Sequence, residues 1–385
     1  MGGDDMRKTV CIRDLGFIIT GKTPPTTNKK YYGDKYLFIK PTDISEASKY
    51  TYETEEKYSD VAAEKYITSK VPCGAICIPC IGTIGTKMTK THCACYTNQS
   101  INSIVCNDKY DEEYVYYLIK NFLPNLKLFN LGTASGREYI SKSNFEKIEL
   151  QIETDKDKQI IIGKILSRYD SLIENYQKQI KLLEEAAQRL YKEWFVDIRF
   201  PGYENTPVVD GVPEGWEKKK LGEITLIKTG KRDANFGTTD GIYPFFTCSQ
   251  EAIKAPSYSF DTSAVILAGN GDFNVKLYRG KFEAYQRTYV IEANNIDFLF
   301  LAYFCISKNI IKLKTGASGS TIKFLTKGMI ESLDIWKPSE NIIDLFNKVI
   351  EPMQGQKESL QSQIRLLTEA RDRLLPKLIS GEIEV

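Results

Sequence analysis

Two long stretches of the chain carry apolar residues at alternating spacings of three and four. The first, 157–195, places Ile162, Ile165, Tyr169, Leu172, Tyr176, Leu183 and Leu190 on one stripe, with Gln179 as a polar interruption. The second carries Phe346, Val349, Met353, Leu360, Ile364, Leu367, Leu374 and Leu378. This period predicts two long helices, each with a seam of the coiled-coil kind. At ~1.5 Å per residue each would run about 55 Å. Pro352 is expected to kink or restart the second helix near its beginning. One seam on each helix implies that the two pair with one another.

Elsewhere the pattern shortens. Runs at 36–40, 75–78, 101–105, 147–152, 264–268 and 287–291 are brief and bounded by Gly, Pro or Asn, as strands are. Short helices are expected at 112–122 and 298–307. The stretch PGYENTPVVDGVPEGW, 201–216, is rich in Pro and Gly and separates two halves. Each half reads as a globular unit of mixed β structure and short helices, followed by a long helix. The boundaries drawn are 1–152 and 216–338 for the units, 153–200 and 339–385 for the helices, and 201–215 for the linker.

The halves echo one another. QIKLLEEAAQRL, from Gln179, returns as QIRLLTEARDRL, from Gln363, at an offset of 184. Upstream, Ile140, Lys142, Phe145, Glu146, Ile148 and Leu150 return as Leu325, Lys327, Ile330, Glu331, Leu333 and Ile335 at offset 185. Thr20-Gly21-Lys22 returns as Thr229-Gly230-Lys231 at offset 209. The glycine-rich turns LGTASGREYISKS, 131–143, and TGASGSTIKFLTKG, 315–328, answer each other in the same way. A fixed frame around an insert of changing length is the organisation of a module that reads something different in each copy.

Composition narrows the class. A chain of 385 residues exceeds one ordinary core, and 42% apolar with 26% charged residues is the composition of a soluble globular protein. The opening MGGDDMRKTV lacks an apolar signal core, and the longest apolar run, 298–306, falls far short of a membrane span. A cytoplasmic location with its nine cysteines mostly reduced is therefore expected. Net charge is only +2, yet segment 216–338 holds 17 Lys+Arg against 12 Asp+Glu, while 153–215 and 339–385 are net acidic. The cationic segments permit a polyanionic partner.

Catalytic motifs do not survive inspection. Gly16-Phe-Ile-Ile-Thr-Gly21-Lys22-Thr23 fits the spacing of a phosphate-binding loop, but its interior is bulky and Pro24-Pro25 follows where a helix should open. The reading preferred is a strand end and turn that offers Lys22, and likewise Lys231-Arg232, to phosphate. Cys77, Cys80, His92 and Cys95 have a zinc-like spacing, but Cys77 sits in an apolar strand run and nothing answers the group in the second half. No metal site is assigned. One histidine gives no acid–base dyad, and the Asn-Pro-Pro-aromatic tetrad of amino-methyltransferases is absent.

Polar and basic turns remain. In the first unit they carry Thr83, Lys87, Asn98, Gln99, Ser135, Arg137 and Tyr139. In the second they carry Asn270, Asp272, Gln286, Arg287, Ser318, Ser320 and Lys323. Arg, Lys, Asn and Gln read base edges in pairs of hydrogen bonds, while Ser, Thr and glycine N–H groups suit phosphates. Together with Lys22, Lys231 and Arg232 these are the candidate DNA-binding residues.

In this order, twice over, the residues resemble the DNA-specificity subunit of a type I restriction-modification system. The resemblance rests on Gly215-Trp216-x4-Leu221-Gly222, on Gly82-Thr-Ile-Gly85 with Asn98-Gln-Ser-Ile-Asn102, and on the two glycine-rich turns. It rests also on Leu190-Tyr-Lys-Glu-Trp-Phe195 and on the ending Leu374-Leu-Pro-Lys-Leu-Ile-Ser-Gly381. It implies an α+β fold with two mixed α/β target-recognition domains in tandem pseudo-twofold repeat. An antiparallel coiled coil of the two long helices would separate them, with Ile165, Tyr169, Leu172, Tyr176, Leu183, Leu190, Leu360, Ile364, Leu367 and Leu374 along its seam.

The same resemblance implies a non-catalytic chain that binds a bipartite double-stranded DNA target, one domain to each half. The helices would set the spacer and dock two methyltransferase (modification) subunits and a restriction/motor subunit. S-adenosylmethionine, ATP and Mg would belong to those partners, and no cofactor to this chain. The alternatives are a self-contained fused modification-restriction enzyme and a coiled-coil adaptor or decoy subunit.

Overall fold

The computed structural model describes residues 7–132, 138–317, 319 and 323–385. The chain divides into two compact units, Met1–Lys178 with Leu360–Val385, and Gln179–Ser359. The first long helix, Lys156–Phe195, and the second, Glu340–Ser380, each contribute to both. Unit one holds the opening of the first helix and the close of the second. Unit two holds the reverse.

Unit one is closed by a two-stranded clasp. Arg7–Cys11 pairs antiparallel with Glu149–Glu153, which leads directly into the first long helix. The clasp leads through the short helix Ile12–Leu15 to the strand Gly16–Thr20. That strand pairs with Ile101–Cys106, which pairs in turn with Ile76–Pro79. A second four-stranded sheet, built from Tyr32–Gly33, Lys57–Tyr58, Tyr36–Ile39 and Tyr96–Thr97, carries its own small core of Tyr58, Phe38 and Tyr96. The helix Glu112–Phe122 starts where Asp111 accepts a hydrogen bond from the Tyr114 N–H at 2.8 Å, an N-cap that satisfies a free amide. Tyr114, Tyr116, Tyr117 and Ile119 of this helix share a core with Ile162 and Leu166 of the first long helix and with Leu375, Leu378 and Ile379 of the second.

Buried charge stitches unit one together. Lys49 and Lys90, 5% and 2% exposed, pair with Glu113, and Lys90 also reaches Glu112 at 2.9 Å. Asp170 on the first long helix pairs with Arg371 on the second and accepts a hydrogen bond from the Tyr117 hydroxyl at 2.6 Å. Burial alone would raise the Asp170 pKa, but Lys120, Arg371 and Tyr117 outweigh it and hold the carboxyl below its ordinary value. Glu113 is held low in the same way, with Lys49 and Lys90 overcoming burial.

Unit two repeats the frame on a larger sheet. Its clasp is Glu217–Lys220 against Asp334–Lys337, again just before a long helix. Thr225–Thr229 pairs with Thr288–Ala293, then Phe260–Ala268, and the order continues through Val275–Ala284, Tyr243–Phe246 and Ile253–Ala255. The helix Leu299–Gly316 extends well beyond the expected 298–307. Trp194, Phe195, Phe200, Trp216, Phe304 and Phe346 form an aromatic cluster at the base of this unit. Ring pairs of this kind contribute on the order of 1 kcal/mol each beyond their burial.

The long helices correct two expectations. Leu172 is 44% exposed, while Ile173 beside it is 3% exposed. Adjacent helical residues face different sides. Counting threes and fours from Ile162 and Leu166 leads to Tyr169, Ile173, Tyr176, Ile180, Leu183, Ala187, Leu190 and Trp194. Counting from Ile165 selects Leu172 instead. Gln179 lies outside this stripe and is exposed, so it does not interrupt it. The second helix does not restart at Pro352 but runs unbroken from Glu340 to Ser380. Pro352 lies on the exposed side, and buried Phe346, Ile350 and Leu360 hold the helix on either side of it. Two positions on this second stripe are cationic. Lys357 meets Glu184 at 2.7 Å in unit two, as Arg371 meets Asp170 in unit one.

Candidate nucleic-acid interface

Each unit builds the same tip from three backbone elements. After the strand Gly16–Thr20 the Gly21 amide donates to Ile101 O at 3.2 Å. After Thr225–Thr229 the Gly230 amide donates to Thr288 O at 3.0 Å. A Cβ on Gly21 would fall 2.2 Å from the Thr97 and Asn98 carbonyl oxygens, and one on Gly230 would fall 2.1 Å from Ala284 O. Only glycine lets the chain lie this close to its neighbour. Lys22 and Lys231 follow, both exposed, and among the described residues neither ammonium has an ion-pair partner. The phosphate-loop spacing at Gly16–Thr23 is thus realised as a strand and turn, with no helix after it.

Against these turns lie Gln99-Ser100 and Gln286-Arg287. Cys80 N donates to Ser100 O at 2.7 Å, and Gly269 N donates to Arg287 O at 2.8 Å. Gln99 and Gln286, Ser100 and Arg287, and Cys80 and Gly269 therefore occupy equivalent places. Both glutamine amides are restrained by the segment after the glycine. The Thr23 hydroxyl donates to Gln99 Oε1, and Gln286 Nε2 donates to Asp233 Oδ1 at 2.8 Å. A third strand closes the tip, as Ile140 N donates to Cys80 O and Leu325 N donates to Gly269 O. Tyr139 and Phe324 are then equivalent, bridged to Ile81 and Asn270.

The structure thus groups Lys22, Asn98, Gln99 and Tyr139 in unit one, with Thr83 one residue past the left-handed turn at Gly82. In unit two it groups Lys231, Asn270, Gln286, Arg287 and Phe324, with exposed Asp272 after the equivalent Gly271 turn. Lys323 is exposed beside Phe324, and Lys87 is half-buried beyond the Gly85 turn. Some candidates are already engaged. The Asn98 carboxamide accepts from Ser100 N at 3.0 Å. The Arg232 guanidinium stacks on Phe236 at 4.3 Å and lies 3.5 Å from fully buried Glu283. Ser135, Arg137, Ser318 and Ser320 lie outside the described residues.

Two clefts adjoin these tips. In unit one a cleft of about 540 Å³ is lined by Phe17, Thr20, Lys22, Lys70 and Lys142. In unit two one of about 420 Å³ is lined by Gln286, Arg287, Tyr289, Phe324 and Lys327. Sequence reading missed Lys70, Lys142 and Lys327 as lining residues. Lys142 and Lys327 were visible as matched members of the repeat, but they were read as frame. Lys70 had no signal, since only the fold brings it beside Lys22.

The cysteines belong to the interior. Cys77 is fully buried against the Ser103 hydroxyl and Cys80 against the Asn102 amide; burial pushes both thiols up to about 12. His92 packs its ring on Tyr52 at 4.8 Å. Among the described residues no three His, Cys, Asp or Glu side chains converge on a metal-sized site. Nor, among them, is any helix long and apolar enough to cross a membrane.

Known proteins fit this geometry. Over its whole length the chain shares the fold of the type I restriction-modification system S subunit from M. genitalium, at a TM-score of 0.62 and 16% identity, covering 97% of this chain and 96% of that one. It is 27% identical to the type I restriction enzyme MjaIX specificity subunit of Methanocaldococcus jannaschii, across 97% of this chain and 93% of that protein. It is 40% identical to the Escherichia coli EcoDI specificity subunit, in a match that spans 45% of this chain and only 39% of that protein. The type I restriction modification DNA specificity domain matches residues 5–185 and again 213–360. The chain therefore belongs to the type I restriction-modification DNA specificity family.

Proposed function

We propose that this chain is the specificity subunit of a type I restriction-modification complex and recognises a bipartite double-stranded DNA target, one unit reading each half. The observation that carries this reading is the duplicated tip. Gly21 and Gly230 bring an exposed lysine, without an ion-pair partner among the described residues, beside a restrained glutamine at equivalent places in both units. Lysine supplies sequence-independent phosphate attraction, and glutamine supplies base-edge hydrogen bonds.

The paired helices act as the spacer between half-targets. Unit one takes the opening of one helix and the close of the other, and unit two takes the reverse, which supports an antiparallel arrangement. They also serve the partners. Large apolar side chains stand exposed at the same repeat positions on both helices: Ile161 and Leu345 at 43% and 42%, Leu182 and Leu366 at 64% and 55%. Exposed apolar positions written twice suit a partner bound in two copies, as two methyltransferase subunits would be. Chemistry belongs to those partners and to a restriction/motor subunit, with their S-adenosylmethionine, ATP and Mg, in the cytoplasm where the host DNA lies.

The test is a seven-residue insertion into both helices, beside Gln179 and Gln363, which keeps the stripe in phase while adding ~10 Å. Methylation sequencing of cells carrying the variant complex should show a spacer longer by about three base pairs, since stacked pairs rise ~3.4 Å each, with both half-targets unchanged. Altered half-targets around an unchanged spacer would overturn the reading.

A further inference from the structure

The two tips differ at one position where chemistry changes most. Unit one carries Ser100 where unit two carries Arg287, and both backbones are fixed by the same inter-strand hydrogen bond. Arg287 is exposed, and among the described residues its guanidinium has no acid and no hydrogen-bond acceptor. The cleft beside it is lined by no carboxylate: Gly269, Gln286, Tyr289, Phe324, Leu325, Thr326 and Lys327 form the rest of the wall. That wall is rigid. The Tyr289 hydroxyl donates to Leu325 O at 2.8 Å, Gln286 N donates to Arg232 O at 2.9 Å, and Thr288 N donates to Tyr285 O at 2.8 Å. A Cβ on Gly269 would lie 2.4 Å from Arg287 O, so glycine is what allows this approach.

We infer that Arg287 is a specificity-determining residue that reads a guanine in the half-target of unit two. The inference rests on the DNA-recognition reading above and adds a base to it. A guanidinium presents two parallel N–H donors that match guanine O6 and N7 in the major groove, and this pairing discriminates by about 1–3 kcal/mol. The ammonium groups of Lys231 and of Lys327, the latter 3.4 Å from Glu331, suit phosphate. Arg287 instead stands beside Gln286, whose amide Asp233 orients, and beside Phe324, 41% exposed, which offers an apolar face to a base. Fork, oriented amide and aromatic face are the parts of a base-edge reader. Ser100 offers one rotating hydroxyl, so unit one makes no equivalent guanine contact.

The experiment uses the full chain co-expressed with its modification subunits and a duplex library randomised across both half-targets. The wild-type complex should select a guanine at one position of one half. Arg287→Ala should lose that preference, lowering affinity for the selected site by about 5- to 150-fold while leaving sites with another base there nearly unaffected. Arg287→Lys keeps the charge but not the fork. It should retain general affinity and its dependence on salt, and still lose the guanine preference. If both variants keep the preference, or if Arg287→Lys restores it in full, Arg287 serves phosphate or nothing and the inference fails. If the wild-type complex selects no sequence at all, the proposed function itself fails. Thermal melting of each variant separates loss of reading from loss of fold.

Discussion

Unit one and unit two share a frame and diverge in what they hang on it. Both close with a clasp, turn at Gly21 or Gly230, and hold Gln99 or Gln286 against that turn. Between these shared points unit one inserts a second four-stranded sheet, and unit two extends a single sheet to six strands. The difference teaches that the frame is set by pairings between fixed segments far apart in the chain, such as Arg7–Cys11 with Glu149–Glu153 and Glu217–Lys220 with Asp334–Lys337. What fills the space between Gly21 and Cys80, or between Gly230 and Gly269, is free to change as long as its ends arrive in register.

The cores are held differently too, and that contrast can be broken by mutation. In unit one Arg371→Ala would leave Asp170, 4% exposed, without its ion-pair partner, with only the Tyr117 hydroxyl bonded to it and the Lys120 charge nearby. The expected loss is about 3–5 kcal/mol, against which urea unfolding of the purified chain is the check. The matching change in unit two, Lys357→Ala, removes a partner from half-exposed Glu184. It should cost no more than about 1 kcal/mol. Equal losses at the two sites would remove the contrast.

The next effect is intermediate and should be symmetrical. Gly21→Ala and Gly230→Ala each force a methyl group within 2.2 Å of a carbonyl oxygen. Each should destabilise its own unit by about 1–3 kcal/mol, and each should blur one half-target in methylation sequencing. Blurring of both by one substitution would show that the tips do not read independently.

Acid sharpens the same comparison. Asp170 and Glu113 both have folded-state pKa values held below the ordinary carboxylate range. The stability they contribute is present above the unfolded carboxylate pKa and disappears as pH falls through the lowered folded value. Unfolding midpoints should therefore drop below about pH 4, and Asp170→Asn should flatten that drop while lowering stability at neutral pH. A variant with an unchanged acid slope would exclude Asp170 as its source.

The smallest effect is electrostatic. Lys22→Ala and Lys231→Ala should weaken binding to every duplex alike and each lower the salt slope by roughly one. A change of sequence preference would place these lysines on bases.

Much of this was legible in the chain. The helix expected at 112–122 forms as Glu112–Phe122, with Asp111 as its N-cap. The repeat at Gln179 and Gln363 located both long helices, since long periodic segments leave little ambiguity. Leu172 was misplaced because two adjacent apolar residues offer two phases, and only packing chooses between them. Pro352 looked like a break because its missing N–H is a local cost, while the contacts that offset it are tertiary. At the tips, Gly21 and Gly230 could be paired by the repeat, but Gln99 and Gln286 could only be named. The offsets between equivalent residues drift from 209 to 185 as the inserts differ, so only the hydrogen bonds at Ser100 and Arg287 reveal that those two residues share a position.

The cations on the second helical stripe bear on inheritance. The repeat that aligns Gln179 with Gln363 sets Ala187 where Arg371 stands and Ile173 where Lys357 stands. Neither helix therefore carries both members of a pair, and a first helix laid against a copy of itself would oppose Asp170 with alanine. The inserts differ between the two units while the frame around them is kept. Two first helices laid together would therefore lose both ion pairs, so the charge distribution makes the two helices partners rather than copies.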